Sequence, residues 1–190
     1  MRVGLLGGSF NPAHQGHRHV AETAWQRMRL DQVWLMVSPG NPLKPRAGMA
    51  PLNQRMAGAR AIADGRRIVA TGIEAELHTR FTVDTLRLLL RRFPNARFVW
   101  VMGADILVQL PRWRRWMDIV RRLSFAVLPR PTYNHRALAG QAARRLRPIR
   151  LDARKAVLLP GRAFGWVFLP APQIMLSATA LRGAIEGSNR

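Results

Sequence analysis

Two histidines three residues apart, His14 and His17, stand at the end of the run Gly7-Gly8-Ser9-Phe10-Asn11-Pro12, which itself follows the apolar stretch Val3 to Leu6. Backbone approaches a polyphosphate closely only where no Cβ intervenes, and Gly7 and Gly8 allow that approach. Asn11-Pro12 turns the chain into a segment, Gly16 to Arg29, patterned as a helix, whose first amides, that of Gly16 included, would face an anion. On the first turn of such a helix both rings project to nearly the same side. A glycine turn after a strand, or a single histidine, has ordinary structural explanations. Their conjunction within so short a stretch points to phosphate chemistry. The spacing matches neither the His-Glu-x-x-His metal pattern nor the Gly-x-x-x-x-Gly-Lys-Ser/Thr loop, so no protein-held metal is expected.

Three further groups could serve a nucleotide. In Ser177-x-Thr179-x-x-Arg182 a hydroxyl caps a helix, its first amides face an anion, and a guanidinium fork follows one turn later. Alone it would read as an ordinary capped helix; together with the histidines it would bracket one triphosphate. Gly103-x-Asp105 follows an apolar run, where a carboxylate either accepts hydrogen bonds from ribose hydroxyls or caps a helix. Lys44, one of two lysines with Lys155, sits just past a second apolar run and is either solvated or a phosphate contact.

Elements that would position these groups can be read from the hydrophobic pattern. Val3 to Leu6, Gln32 to Val37, Arg67 to Ala70, Arg97 to Met102, Phe125 to Leu128 and Trp166 to Leu169 read as strands. Helices are expected over Gly16 to Arg29, Leu52 to Ala63, Val83 to Phe93, roughly Asp118 to Arg122, Arg136 to Leu146 and Ala178 to Glu186. Strands that are short and apolar throughout, alternating with helices, predict a doubly wound Rossmann-like α/β domain over 1–190, a parallel sheet with helices on both faces. Ligands in such a fold bind beyond the carboxyl ends of the strands. Ser38 to Pro51, with four prolines, reads as a substrate loop, and Tyr133 to Phe164 as a helix plus surface connection.

The formal charge of +21 invites a nucleic-acid reading. The charge is almost all arginine, spread over helical faces (Arg87, Arg91, Arg92, Arg121, Arg122, Arg144, Arg145), and no nucleic-acid-binding motif organises it. A solvated surface that helps steer triphosphates explains it better. Without cysteine the chain has no disulfides and no thiolate chemistry, which fits a reducing compartment. No apolar run approaches the roughly 20 residues of a membrane span. A cytoplasmic protein is expected.

The segment from Gly7 to His17 resembles the first motif of the nucleotidyltransferase superfamily, in particular of the nicotinate-mononucleotide adenylyltransferases. Leu176-Ser177-Ala178-Thr179-Ala180-Leu181-Arg182 is similar to their Ile-Ser-Ser/Ala-Thr-x-x-Arg motif, with Ala178 where some relatives carry a second serine. Phe81-Thr82-x-x-Thr85-Leu86, Gly103-Ala104-Asp105 and Pro111-x-Trp113 fall between in the family's order. The resemblance implies the nucleotidyltransferase fold and adenylyl transfer from ATP to nicotinate mononucleotide, by direct in-line attack without a covalent intermediate. His14, His17 and Arg182 would then be catalytic, and Gly7, Gly8, Ser9, Phe10, Gly16, Gly103, Asp105, Ser177 and Thr179 would bind ATP. Lys44 would reach the mononucleotide or the triphosphate, Trp113 would stack on the pyridine ring, and the backbone of Thr82, Val83 and Arg114 would meet the pyridine substituent. Mg²⁺ would arrive as the triphosphate's counter-ion, held mainly by phosphates and water. No nucleic-acid or membrane partner is expected, and a homo-oligomer stays open. A same-fold enzyme acting on phosphopantetheine or another phosphate acceptor is the alternative, and a basic nucleic-acid-binding module is the alternative from another class.

Overall fold

A computed structural model of the chain describes residues 1–40 and 48–172. Six strands form one sheet: β1 (Arg2–Gly8), β2 (Gln32–Val37), β3 (Ile68–Thr71), β4 (Arg97–Gly103), β5 (Phe125–Leu128) and β6 (Trp166–Phe168), in the order β3-β2-β1-β4-β5-β6. Every pairing is parallel. The chain winds outward in one direction from β1 to β3, then returns past β1 to β4 and winds the other way. The reversal between β1 and β4 opens a crevice at their carboxyl ends.

The helices are α1 (Gln15–Met28), α2 (Leu52–Ile62), α3 (Ile73–Glu76), α4 (Thr82–Arg92), α5 (Ala104–Gln109), α6 (Trp116–Arg122), α7 (Asn134–Leu138) and α8 (Gln141–Arg145). Alternation along the strands divides the core in two. Val3 and Leu5 of β1 pack with Leu86 and Leu89 of α4 and Ile119 of α6, while Leu6 packs with Val20, Ala24 and Met28 of α1 and Ile62 of α2. Both faces of the sheet are therefore covered, which is why its strands read as unbroken apolar runs. No helix among the described residues is long and apolar enough to cross a membrane.

The sequence expectation needs four corrections. Gly7 and Gly8 belong to β1 itself, held opposite Met36 and Val37, because parallel pairing with β2 continues to the end of the glycine pair. The helix expected over Arg136 to Leu146 breaks into α7 and α8 at Gly140, whose extended backbone (ψ 169°) interrupts the helical turn. A side chain at Gly140 would stand 2.9 Å from the Arg136 carbonyl. The short helices α3 and α5 were not anticipated, being too brief to show a period. β6 ends at Phe168, although the Leu169 amide still donates to the Val127 carbonyl at 2.9 Å. The helix expected over Ala178 to Glu186 lies outside the described residues.

Candidate active site

At the carboxyl ends of β1, β2 and β4 a cleft of about 310 Å³ opens, floored by Gly7, Gly8, Ser9, Met36 and Met102 and walled by Phe81, Thr82, Ile106 and Trp113. Gly7 is exposed there, and a Cβ at that position would have as its nearest neighbour the Met36 Cε at 3.8 Å, so the strand's bare backbone faces the cavity. Arg80, Arg112 and Arg114 add cationic groups to the lining, against the single carboxyl of Glu74. That balance favours an anionic guest. Burial pushes the Glu74 carboxyl up, offset in part by its hydrogen bond with Ser38.

One wall of the cleft is the N-terminus of α4. Phe81 occupies the cap position without a side-chain cap, and the amides of Asp84 and Thr85 return to its carbonyl at 2.9 and 3.1 Å. The amides of Thr82 and Val83 have no acceptor among the described residues, nor has that of Arg114. The Val83 side chain is buried in the core, so the backbone is what it can offer. Two guanidinium groups flank Phe81, that of Arg114 4.7 Å and that of Arg80 5.7 Å from the ring centroid. Trp113 stands across from this helix end, its ring 5.4 Å from that of Trp100 and its indole nitrogen buried with no partner among the described residues. A flat apolar slot thus adjoins uncapped helix amides, the combination that suits an aromatic ring carrying a carboxylate.

The histidines stand at the start of α1. His14 is its N-cap, with Nδ1 accepting from the Gly16 amide at 3.1 Å, while the His14 amide donates to His17 Nδ1 at 3.3 Å. The two rings lie 3.9 Å apart, centroid to centroid. With each Nδ1 accepting, each ring, when neutral, carries its hydrogen on Nε2. Burial, and after it the charge of Arg130, holds the His14 imidazole below its ordinary value, so His14 is neutral near pH 7. Gly16 and Phe10 also help to hold this turn. The Gly16 amide is engaged by the His14 cap, and Phe10 is 1 % exposed, its ring packed under Gly8 and 4.8 Å from that of His17. The Phe10 ring therefore supports the turn from beneath, in a left-handed backbone conformation (φ 48°) that its packing must hold.

Gly103 ends β4 and caps α5, and Asp105 sits in the first turn of that helix. Asp105 Oδ1 lies 3.8 Å from Arg130 Nε; both atoms are buried and neither has a hydrogen bond among the described residues. A Cβ at Gly103 would collide with Asp105 Oδ1 and stand 2.9 Å from Arg130 Nε, so glycine is what lets this pair close over the strand end. Arg130 thus joins Asp105 to the histidines, a role sequence reasoning missed. Its signal, an arginine between Pro129 and Pro131 at the end of an apolar run, was lost among many arginines. Glu74, on a helix too short to read, was missed for the same reason as its helix. No group of three or more His, Asp or Glu side chains among the described residues is placed to share a metal ion.

The structure so gathers the expected residues into two adjoining groups. Gly7, Gly8, Ser9, Thr82 and Trp113 share the cleft with Arg114, while His14 and His17 face each other at the start of α1 and Asp105 faces Arg130 at the end of β4, close enough to α1 for the Arg130 charge to act on His14. Lys44, Ser177, Thr179 and Arg182 lie outside the described residues.

Comparison with known proteins gives the chain's family. Residues 5–184 match the family described as Cytidylyltransferase-like. Over 184 residues the chain is 59 % identical to a protein of Gluconacetobacter diazotrophicus named "Probable nicotinate-nucleotide adenylyltransferase", covering 96 % of this chain and 86 % of that one. A protein of the same name from Gluconobacter oxydans is 58 % identical over 183 residues, covering 96 % and 94 %. Among solved structures, Plasmodium falciparum nicotinic acid mononucleotide adenylyltransferase complexed with NaAD superposes with a TM-score of 0.69 at 16 % identity, covering 96 % of this chain and 82 % of that one, a likeness of fold. The chain belongs to the cytidylyltransferase-like nucleotidyltransferases, among the nicotinate-nucleotide adenylyltransferases.

Proposed function

We propose that the chain transfers the adenylyl group of ATP to nicotinate mononucleotide, forming nicotinate adenine dinucleotide and pyrophosphate. The observation that carries this reading is the junction of bare β1 backbone at Gly7 and Gly8 with an aromatic slot closed by the uncapped amides of Thr82 and Val83. A phosphate at one end and a ring carboxylate at the other are what such a cleft binds.

In the reaction, an oxygen of the mononucleotide phosphate bonds to the α-phosphorus of ATP, and the bond from that phosphorus to the bridging oxygen breaks, its electron pair leaving with pyrophosphate. No side chain need act as a nucleophile. What the protein supplies is alignment and donors aimed at the charge that develops. The Nε2 hydrogens of His14 and His17 serve the triphosphate, His17 toward the α-phosphate. The His14 ring, neutral near pH 7, still carries a hydrogen with which to donate to a phosphate oxygen. Arg130 adds a fixed positive charge beside His14, and Asp105 accepts from the ribose hydroxyls, which would satisfy its buried oxygen. Trp113 stacks on the pyridine, whose carboxylate takes the amides of Thr82, Val83 and Arg114. Ser177, Thr179, Arg182 and Lys44 keep their proposed phosphate roles on the sequence motifs alone. Magnesium enters as part of the substrate, MgATP.

The test is mass identification of the product formed from ATP and each of two acceptors, nicotinate mononucleotide and phosphopantetheine, with pyrophosphate release measured alongside. The dinucleotide should form and phosphopantetheine should be inert. Adenylylation of phosphopantetheine at equal efficiency would move the chain to the alternative acceptor class, and no pyrophosphate from either would overturn adenylyl transfer.

A further inference from the structure

Arg55, on α2, is 3 % exposed, yet no carboxylate among the described residues pairs with it. Its partners are backbone carbonyls from three separate segments. Nε donates to Ala50 O at 2.8 Å, one terminal nitrogen to Ser9 O at 2.8 Å and Ser38 O at 2.7 Å, and the other to Pro39 O at 3.4 Å. Asn11 reinforces the same knot, donating to Gly48 O at 2.9 Å and accepting from the Ala50 amide at 3.2 Å. Ser9, Ser38 and Gly40 line the cleft, whereas Arg55 lies behind them. A buried cation without a counter-charge is costly, and an apolar side chain in its place would leave several buried carbonyls unpaired. Only a planar fork with five donors spans three directions at once.

We propose that Arg55 is a positioning residue of the adenylyl-transfer reaction. Its guanidinium fixes the spacing between Ser9, just past the end of β1, and the Ser38–Gly40 wall, and so holds the Gly7–Ser9 backbone where the nucleotide's phosphates must lie. Arg55 touches no substrate and acts through that backbone. The inference rests on the reading of the cleft given above.

The test compares Arg55→Lys and Arg55→Met with wild type and with Ala59→Gly, a buried change on the same helix away from the cleft that serves as a stability control. Because a misplacement of about 1 Å can cost about 100-fold, both Arg55 variants should lose roughly 30-fold or more in kcat at a temperature where all proteins are folded. The KM for nicotinate mononucleotide should move less than about 3-fold, since Trp113 and the α4 amides are untouched. Lysine should not rescue, although it keeps the charge. Independently of activity, hydrogen exchange should quicken in peptides covering residues 7–11 and 36–40, where the Ser38 amide bonds Gly8 O at 2.9 Å, and stay unchanged in β4. Turnover in both variants matching Ala59→Gly, full rescue by lysine, or a chain that no longer folds would each overturn the positioning role, the last by showing that the knot serves the fold. A wild type inactive with ATP and nicotinate mononucleotide, but with the exchange change present in the variants, would instead count against the functional reading alone.

Discussion

Gly103→Ala tests the coupling of Asp105 and Arg130 at the end of β4. The backbone there (φ −79°, ψ 161°) admits any residue, so the substitution carries no conformational strain. Its methyl group would nonetheless collide with Asp105 Oδ1 and stand 2.9 Å from Arg130 Nε and 3.0 Å from Arg130 Cγ, where ordinary contact begins at 3.4 Å. Arg130 must retreat by about half an ångström and Asp105 by more, because its oxygen is the nearest atom to the added methyl group. Displacements approaching 1 Å cost on the order of 100-fold in rate, so kcat/KM for ATP should fall roughly 30- to 100-fold. Changing the α5 cap from glycine to alanine costs under about 1 kcal/mol, which in a chain of this size lowers Tm by no more than about 4 °C. Initial rates of pyrophosphate release against ATP, with thermal melts, provide the comparison. Gly72→Ala is the control, since its nearest neighbour would be Met56 Sδ at 3.8 Å. Near-normal kcat/KM for ATP in Gly103→Ala, at unchanged Tm, would refute the claim that this pair serves the nucleotide.

Other expected outcomes follow from the same geometry. His17→Ala should lower kcat by two orders of magnitude or more, the cost of about 3 to 4 kcal/mol for losing a donor aimed at developing phosphate charge, as read in single-turnover assays. Trp113→Ala should weaken use of nicotinate mononucleotide about 10-fold or more by removing stacking area, while KM for ATP stays within about 3-fold, as measured by initial rates with each substrate varied. Burial and Arg130 lower the His14 pKa in the folded state, so the unfolded chain takes up that proton first and stability drains away as pH falls below the ordinary value of 6.5. His14→Asn, which retains a capping side chain but does not titrate, should flatten that slope in urea melts between about pH 5 and 7.5.

Much of the architecture was legible because its causes are local and repetitive. Val99 to Met102 are buried on both faces of the sheet, so β4 reads as an unbroken apolar run, and α4 carries Val83, Leu86 and Leu89 on one buried side at helical spacing. The site was legible where a motif concentrates rare residues: Gly7, Gly8, His14 and His17 fall within one turn and one helix start. What escaped depends on partners distant in sequence. Arg55 and Arg130 are chemically indistinguishable from solvated arginines until the topology brings Ser9 and Ser38 to one and Asp105 to the other. The packing of the Phe10 ring was not legible either, since a motif does not show which of its side chains are buried beneath the backbone. The break at Gly140 lies in one residue's extended backbone, which hydrophobic periodicity does not register.

Uncapped amides at the start of α4 should select a carboxylate on the pyridine ring. A carboxylate accepts with both oxygens and gains from the helix N-terminus, whereas a carboxamide turns an NH₂ donor toward one of those amides or leaves it unpaired. Measured side by side with ATP, kcat/KM for nicotinate mononucleotide should exceed that for nicotinamide mononucleotide by on the order of 100-fold or more. Comparable efficiencies for the two acceptors would contradict it.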